Sequence, residues 1–388
     1  MFSPEDVKAI RSQFPALERQ LDGQPLVYFD GPAGSQVPTR VAAAVSDYLL
    51  ARNANSGGPF VTSLENDAAF EEALGVLAAF VGAADPSAIV FGASMTALTF
   101  RLSRALASTW SPGDEILLSR LDHDGNVTPW ALAARERGVT VKHIDLDPED
   151  ATLDLADFRA KLSPRTRLVA LGVASNATGT INPVREISDA AHEVGALVYA
   201  DAVHYAPHGL IDVAALGCDF LVASVYKFFG PHISVLWGAR ERLDTLPAAK
   251  VRPAYDVSPD RWMQGTPNYE GIAGAVEAVR YIADLALDPG ETPLRTRLEA
   301  AFGRIVAYER ALCRQLIEGI ERVGGFTIHG ITAHDRLHMR VPTLSVTHDR
   351  LTPKEMATRL ASCGFCTWPG NHYALPFTEA MGLEPHGT

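Results

Sequence analysis

From Ala88 to Trp237, short aliphatic and β-branched runs (AIVF, EILLS, VTVKHI, RLVALGV, ALVYA, FLVAS and ISVLW) alternate with longer stretches whose apolar residues recur at helical spacing. This alternation predicts an α/β unit built on a mostly parallel, seven-stranded sheet, with the helical stretches as crossovers. One crossover is marked by Leu98, Leu102, Ala105 and Leu106, and another runs from Val184 to Val194, opening after Asn182-Pro183. After about Gly271 the pattern changes. GIAGAVEAVRYIADL and RTRLEAAFGRIVAYERALCRQLIEGI read as long helices, followed by short strands around TIHG and TLSVTH. The expected organisation is a large domain over residues 26–275 and a smaller α+β domain over 276–388, with residues 1–25 packing against the small one. The Pro/Gly-rich DPGETP near residue 290 is the expected hinge.

With 388 residues, 47% of them hydrophobic, the chain can bury a large core. A formal charge of −12 argues against a nucleic-acid-binding surface, which needs a basic excess or stripe. No stretch reaches the roughly 18 uninterrupted apolar residues of a membrane span, and the opening MFSPEDVKAIRSQFPAL does not read as a signal peptide. Four cysteines (Cys218, Cys313, Cys363 and Cys366) are too sparse for a disulfide framework, so a cytoplasmic protein is expected. His204 and His208 stand four apart, yet no further ligand set surrounds them in sequence, and no metal is expected. Cys363 and Cys366 lack a second pair and read as buried or spectator thiols.

In an open parallel sheet, ligands sit beyond the C-terminal ends of the strands. Four of the turns expected there carry chemistry. After AIVF come Gly92-Ala93-Ser94-Met95-Thr96, small residues leading into a helix whose free N–H groups suit a phosphate, although a plain helix cap reads the same way. After EILLSR comes the polar cluster Asp122-His123-Asp124-Gly125-Asn126; after RLVALGVAS comes Asn176. After ALVYA comes Asp201, an acid delivered off a buried strand, which is costly without a cationic partner. The next strand leads into Ser224-Val225-Tyr226-Lys227-Phe228-Phe229-Gly230-Pro231. A lysine between an apolar strand and FFGP is partly desolvated, which lowers its pKa and makes it a usable nucleophile. A lone lysine is most often a solvated surface group; the strand-end acid one βαβ unit earlier changes the reading. Pyridoxal 5′-phosphate (PLP) requires a Schiff-base lysine, an acid for the pyridine nitrogen and a phosphate cradle. Lys227, Asp201 and the Ser94-Met95 helix start supply these.

These residues resemble class V aminotransferases, in particular the cysteine-desulfurase-like branch that includes selenocysteine lyases and isopenicillin epimerases. Tyr28-Phe29-Asp30-Gly31-Pro32-Ala33-Gly34-Ser35-Gln36-Val37-Pro38 is similar to that family's opening, and Asp122-His123 through Pro129-Trp130 to its E-H-x-x-N-x-x-P-W segment. The resemblance implies the aspartate-aminotransferase-like fold of PLP enzymes. It implies catalytic roles for Lys227, His123 and Asp201, with His123 stacked on the pyridine ring and Asp201 paired with its nitrogen. Asn176 and His204 would face the 3′-oxygen, and Ser224 and Tyr226 the phosphate. Arg261-Trp262-Met263-Gln264-Gly265-Thr266-Pro267 is similar to R-F-E-x-G-T-P, in which the threonine reaches the phosphate of the neighbouring subunit; Thr266 then implies a homodimer with shared sites.

The pattern breaks in one segment. Where desulfurases carry R-T-G-H-H-C-A-x-P, this chain has Trp368-Pro369-Gly370-Asn371-His372-Tyr373-Ala374-Leu375-Pro376, with Trp368 at the arginine and Tyr373 at the nucleophilic cysteine. The sequence then ends at Glu384-Pro385-His386-Gly387-Thr388, before the segment in which relatives place a further carboxylate-binding arginine. The expectation is a PLP enzyme acting on a small amino acid. β-Elimination, racemisation and transamination stay open as outcomes, beside a catalytically inactive binding protein of the same fold.

Overall fold

The computed structural model describes residues 1–286 and 292–388. Seven strands form the central sheet: β1 (Ile89–Gly92), β2 (Glu115–Ser119), β3 (Thr140–Ile144), β4 (Thr166–Gly172), β5 (Leu197–Asp201), β6 (Phe220–Ser224) and β7 (Ser234–Gly238). Each falls on one of the seven runs read from sequence. Their order is β1-β7-β6-β5-β4-β2-β3, parallel except for β7, which is antiparallel to both neighbours. Both faces are covered. Leu168 and Ala170 pack into one apolar layer while Val169 and Leu171 pack into the other, which is why these strands read as continuous apolar runs.

Helices α1 (Val61–Val81), α2 (Met95–Ala107), α3 (Thr128–Arg137) and α4 (Val184–Glu193) flank the sheet, followed by α5 (Tyr269–Ala283), α6 (Leu294–Val323) and α7 (Pro353–Ser362). The expected domain boundary at 275/276 falls inside α5, which packs against α1. The expected hinge lies mostly outside the described residues. Phe326–His329 and Ser345–His348 form the antiparallel pair anticipated around TIHG and TLSVTH. Near the N-terminus, Arg304 of α6 pairs with Asp6 at 2.7 Å and covers the ring of Phe2. Val27–Tyr28 joins Phe365–Cys366 in a short parallel ladder, which carries the next residues, Phe29 to Ser35, toward the end of β6.

Candidate active site

Lys227 ends a single helical turn directly after β6, and Asp201 is the last residue of the adjacent strand β5. Burial pushes the Lys227 amine down to about 8, partly offset by the charge of Asp201. Burial likewise pushes the Asp201 carboxyl up to about 6, with its Oδ1 accepting from the Val203 N–H at 2.8 Å. A desolvated amine beside a desolvated acid is the arrangement read from the sequence.

Sequence reasoning gave no role to the clasp around this lysine. The Pro32 carbonyl accepts from Lys227 Nζ, the Ser35 N–H donates to the Tyr226 carbonyl at 3.1 Å, and the Phe229 N–H donates to Ser35 Oγ at 2.7 Å. Phe229 sits in the left-handed region at φ 69°, uncommon for a bulky residue, so two residues beyond Lys227 the chain is held in a conformation that surrounding bonds must enforce. The motif from Tyr28 to Pro38 was visible in the sequence, but its place against Lys227 was not.

His123 lies on the other side of the site. Burial, reinforced by the Lys227 charge, pushes its imidazole down to about 4, so it is neutral at pH 7. Its Nδ1 accepts from the Gly125 N–H at 2.9 Å, which places the ring proton on Nε2. Gly125 must be glycine: a Cβ there would meet Thr96 Oγ1 at 2.9 Å and His123 Nδ1 at 3.0 Å. That close approach sets the His123 loop against the head of α2. Ser94 caps α2, its Oγ accepting from the Ala97 N–H at 3.1 Å, and the N–H groups of Met95 and Thr96 head the helix where an anion is favoured.

The segment that breaks the family pattern folds over this site. The Asn176 amide nitrogen donates to the His372 carbonyl at 2.9 Å, and the Asp124 N–H donates to the Tyr373 carbonyl at 2.6 Å. The Tyr373 ring stacks on His123 with centroids 5.4 Å apart and planes 22° from parallel. His372 and Tyr373 both have positive φ, 54° and 56°. Asn176 Oδ1 is buried without a partner among the described residues, an acceptor left for a bound group.

Several expected contacts are already engaged within the protein. His204 is buried, which pushes its imidazole well below the ordinary range, and its Nε2 bonds Thr343 Oγ1 at 2.8 Å, leaving Nδ1 as its remaining polar atom. Ser224 and Ser234 share a hydroxyl bond of 2.8 Å across the β6–β7 register. Tyr226 stacks on His232, with Lys227 Nζ 5.0 Å from its ring centroid. Thr266 is exposed in the loop before α5. Cys363 is exposed just after α7, and Cys366 lies on the short strand paired with Tyr28.

The aminotransferase class-V family model matches residues 27–388. The chain is 33% identical over 394 residues to a probable cysteine desulfurase of Mycolicibacterium paratuberculosis, covering 98% of this chain and 54% of that protein. It is 30% identical over 392 residues to a cysteine desulfurase of Dickeya dadantii, covering 97% and 90%. It is 34% identical over 356 residues to the aminotransferase-like protein FGM3 of Gibberella zeae, covering 90% and 84%. Among solved structures, the apo cysteine desulfurase of Thermococcus onnurineus superposes with a TM-score of 0.87 at 27% identity, covering 99% of this chain and 92% of that one.

Proposed function

Because the chain belongs to the aminotransferase class-V family, we propose that it binds PLP and cleaves the C–S or C–Se bond of a small amino acid, cysteine first among the candidates. The observation that carries this reading is the buried pair at the ends of β5 and β6, Lys227 lowered to about 8 and Asp201 raised to about 6. The residues present fit the cofactor. Lys227 would hold it covalently, Asp201 would keep its ring nitrogen protonated, and His123 would face the ring. Met95 and Thr96 at the head of α2, with Ser94, Ser224 and Tyr226, would hold the phosphate, and Asn176 and His204 would face the 3′-oxygen. When bound, PLP supplies an electron sink for negative charge at Cα.

Lys227 is suited to take the Cα proton, because an amine near pKa 8 is partly neutral at physiological pH. His123 is neutral and holds its proton on Nε2. In the elimination, the C–S bond breaks, sulfur leaves with the bonding electrons as sulfide, and hydrolysis of the remaining three-carbon unit gives pyruvate and ammonia. Tyr373 stands at the family's cysteine position, and a phenol does not accept sulfur as a thiolate does. Release as free sulfide, without a persulfide on the protein, follows.

Thr266 would complete the phosphate site of a partner subunit. Large exposed apolar side chains at Leu50, Phe60, Val61, Val251 and Tyr255 support an association surface. The chain is read as a large domain over 26–275 and a small one over 276–388, working in the cytoplasm. The test is a product screen with cysteine, selenocysteine and alanine, following sulfide, pyruvate and racemised amino acid separately. Racemised alanine without sulfide or pyruvate would replace elimination by epimerisation, and no product from a PLP-loaded protein would favour a binding role.

A further inference from the structure

The sheet brings two carboxyl groups to the same floor, and the chemistry above uses one of them. Asp201 closes β5, and its Cα pairs in register with that of Gly172, the last residue of β4. Asp122 arrives from β2, on the far side of β4. Its carboxyl lies over Gly172, where a side-chain Cβ would stand 3.1 Å from Asp122 Oδ1. The missing side chain at 172 thus leaves room for one acid to sit beside the other.

One oxygen of Asp122 is fixed by a buried relay. Trp130 Nε1 donates to Asn126 Oδ1 at 2.9 Å, and Asn126 Nδ2 donates to Asp122 Oδ1 at 2.9 Å. The other oxygen, Oδ2, is buried and forms no hydrogen bond of normal geometry among the described residues; the Ser119 hydroxyl and the Gly172 N–H approach the carboxyl and favour its ionised form, but burial outweighs them. An ionised carboxylate buried away from any cation is costly, whereas a protonated one is neutral and avoids that cost. The charged and titratable neighbours divide unevenly. Lys227, Tyr226 and Tyr199 interact with Asp201, and His123 and His204 with Lys227, while the charge acting on Asp122 is that of Asp201 itself.

We propose that Asp122 is a positioning residue that keeps a proton on Oδ2 while Asp201 is ionised, so that the two carboxyls together hold one negative charge on the pocket floor. The use of that single charge, matching one protonated ring nitrogen, rests on the PLP reading; the protonation itself does not. Burial pushes both carboxyls up, and among the described residues the Lys227 amine acts on Asp201 and not on Asp122, so the first proton to leave is that of Asp201.

Asp122→Asn keeps the shape and the acceptor facing Asn126 but cannot ionise. Infrared difference spectra of the full chain, with and without added PLP, should show a protonated-carboxyl C=O band in the wild type that disappears as pH rises through about 7, and this component should be lost in the variant. Stability provides a second readout that survives a poorly folding variant. An acid whose folded pKa is raised stabilises the folded state when protonated, and that contribution is lost as pH rises through the folded value. Relative to wild type, Asp122→Asn should therefore be more stable at about pH 8 than at about pH 5.5. A band unchanged by the substitution, or a stability difference flat across that range, overturns the proposal. Failure of PLP to bind would sink the cofactor reading and leave the protonation result of the unloaded chain standing.

Discussion

The two ends of β2 carry acids in opposite states. At its start Glu115 is buried but surrounded: Lys142 Nζ lies at 2.6 Å, Arg165 Nη2 at 2.6 Å and Ser163 Oγ at 2.8 Å. Hydrogen bonding from Lys142 leads in pulling its carboxyl down to about 2. Just past the end of the same strand, Asp122 has only neutral hydrogen-bond partners among the described residues, and burial pushes it up to about 7. Asp201, across β4, is raised too. Carboxyls at the N-terminal edge are satisfied by the protein's own cations and serve the fold. Those at the C-terminal edge are buried, with one lowered amine beside Asp201 alone, which marks the edge where a ligand's charge belongs.

The sharpest break of this contrast is Lys227→Ala. It should abolish covalent capture of PLP, checked by borohydride reduction and peptide mapping; a pyridoxyl label on another lysine refutes the assignment. In the unloaded wild type, the rate of capture should rise as pH rises through about 8, because the neutral amine is the nucleophile. Asp201→Asn should keep PLP bound but lower turnover about 10²-fold or more, the scale for losing a charge-stabilising partner. Near-wild-type turnover would make Asp201 structural, like Glu115.

A third experiment asks whether the C-terminal edge is completed by a second chain. Mixing Lys227→Ala with Thr266→Ala subunits should restore part of the activity, since one site of each mixed dimer is intact. No recovery in mixtures shown to exchange subunits would place each site within one chain. At the opposite edge, Glu115→Gln should cost about 1–3 kcal/mol in urea unfolding while leaving the specific activity of the folded protein unchanged. Stability from Glu115 is present above the ordinary carboxylate range and is lost as pH falls through about 2, because its folded value is depressed. The smallest effect is expected of Cys363→Ala/Cys366→Ala, which should retain sulfide release. A persulfide trapped on either cysteine, together with lost activity, would instead restore a displaced sulfur acceptor.

All seven sheet strands and the polar residues placed at their C-terminal ends were legible in the sequence, because strand runs, turns and strand-end polar residues are local patterns. Lys227 after FLVAS and Asp201 after ALVYA could be paired on topology alone, since neighbouring βαβ units place their strand ends side by side. The tertiary structure decided what lies across the chain. Pro32 accepts from Lys227 at a separation of 195 residues, and Asn176 holds the His372 carbonyl at 196. His204 spends one nitrogen on Thr343 and Ser224 its hydroxyl on Ser234, engagements no pattern around either residue encodes. Sequence made Asp122 one polar residue in a loop, while the sheet order, the bare backbone of Gly172 and the absence of a cation acting on it among the described residues made it a buried acid near another. Periodicity and propensity act over a few residues, whereas a carboxyl's charge state is set by whatever the fold packs within a few ångströms of it.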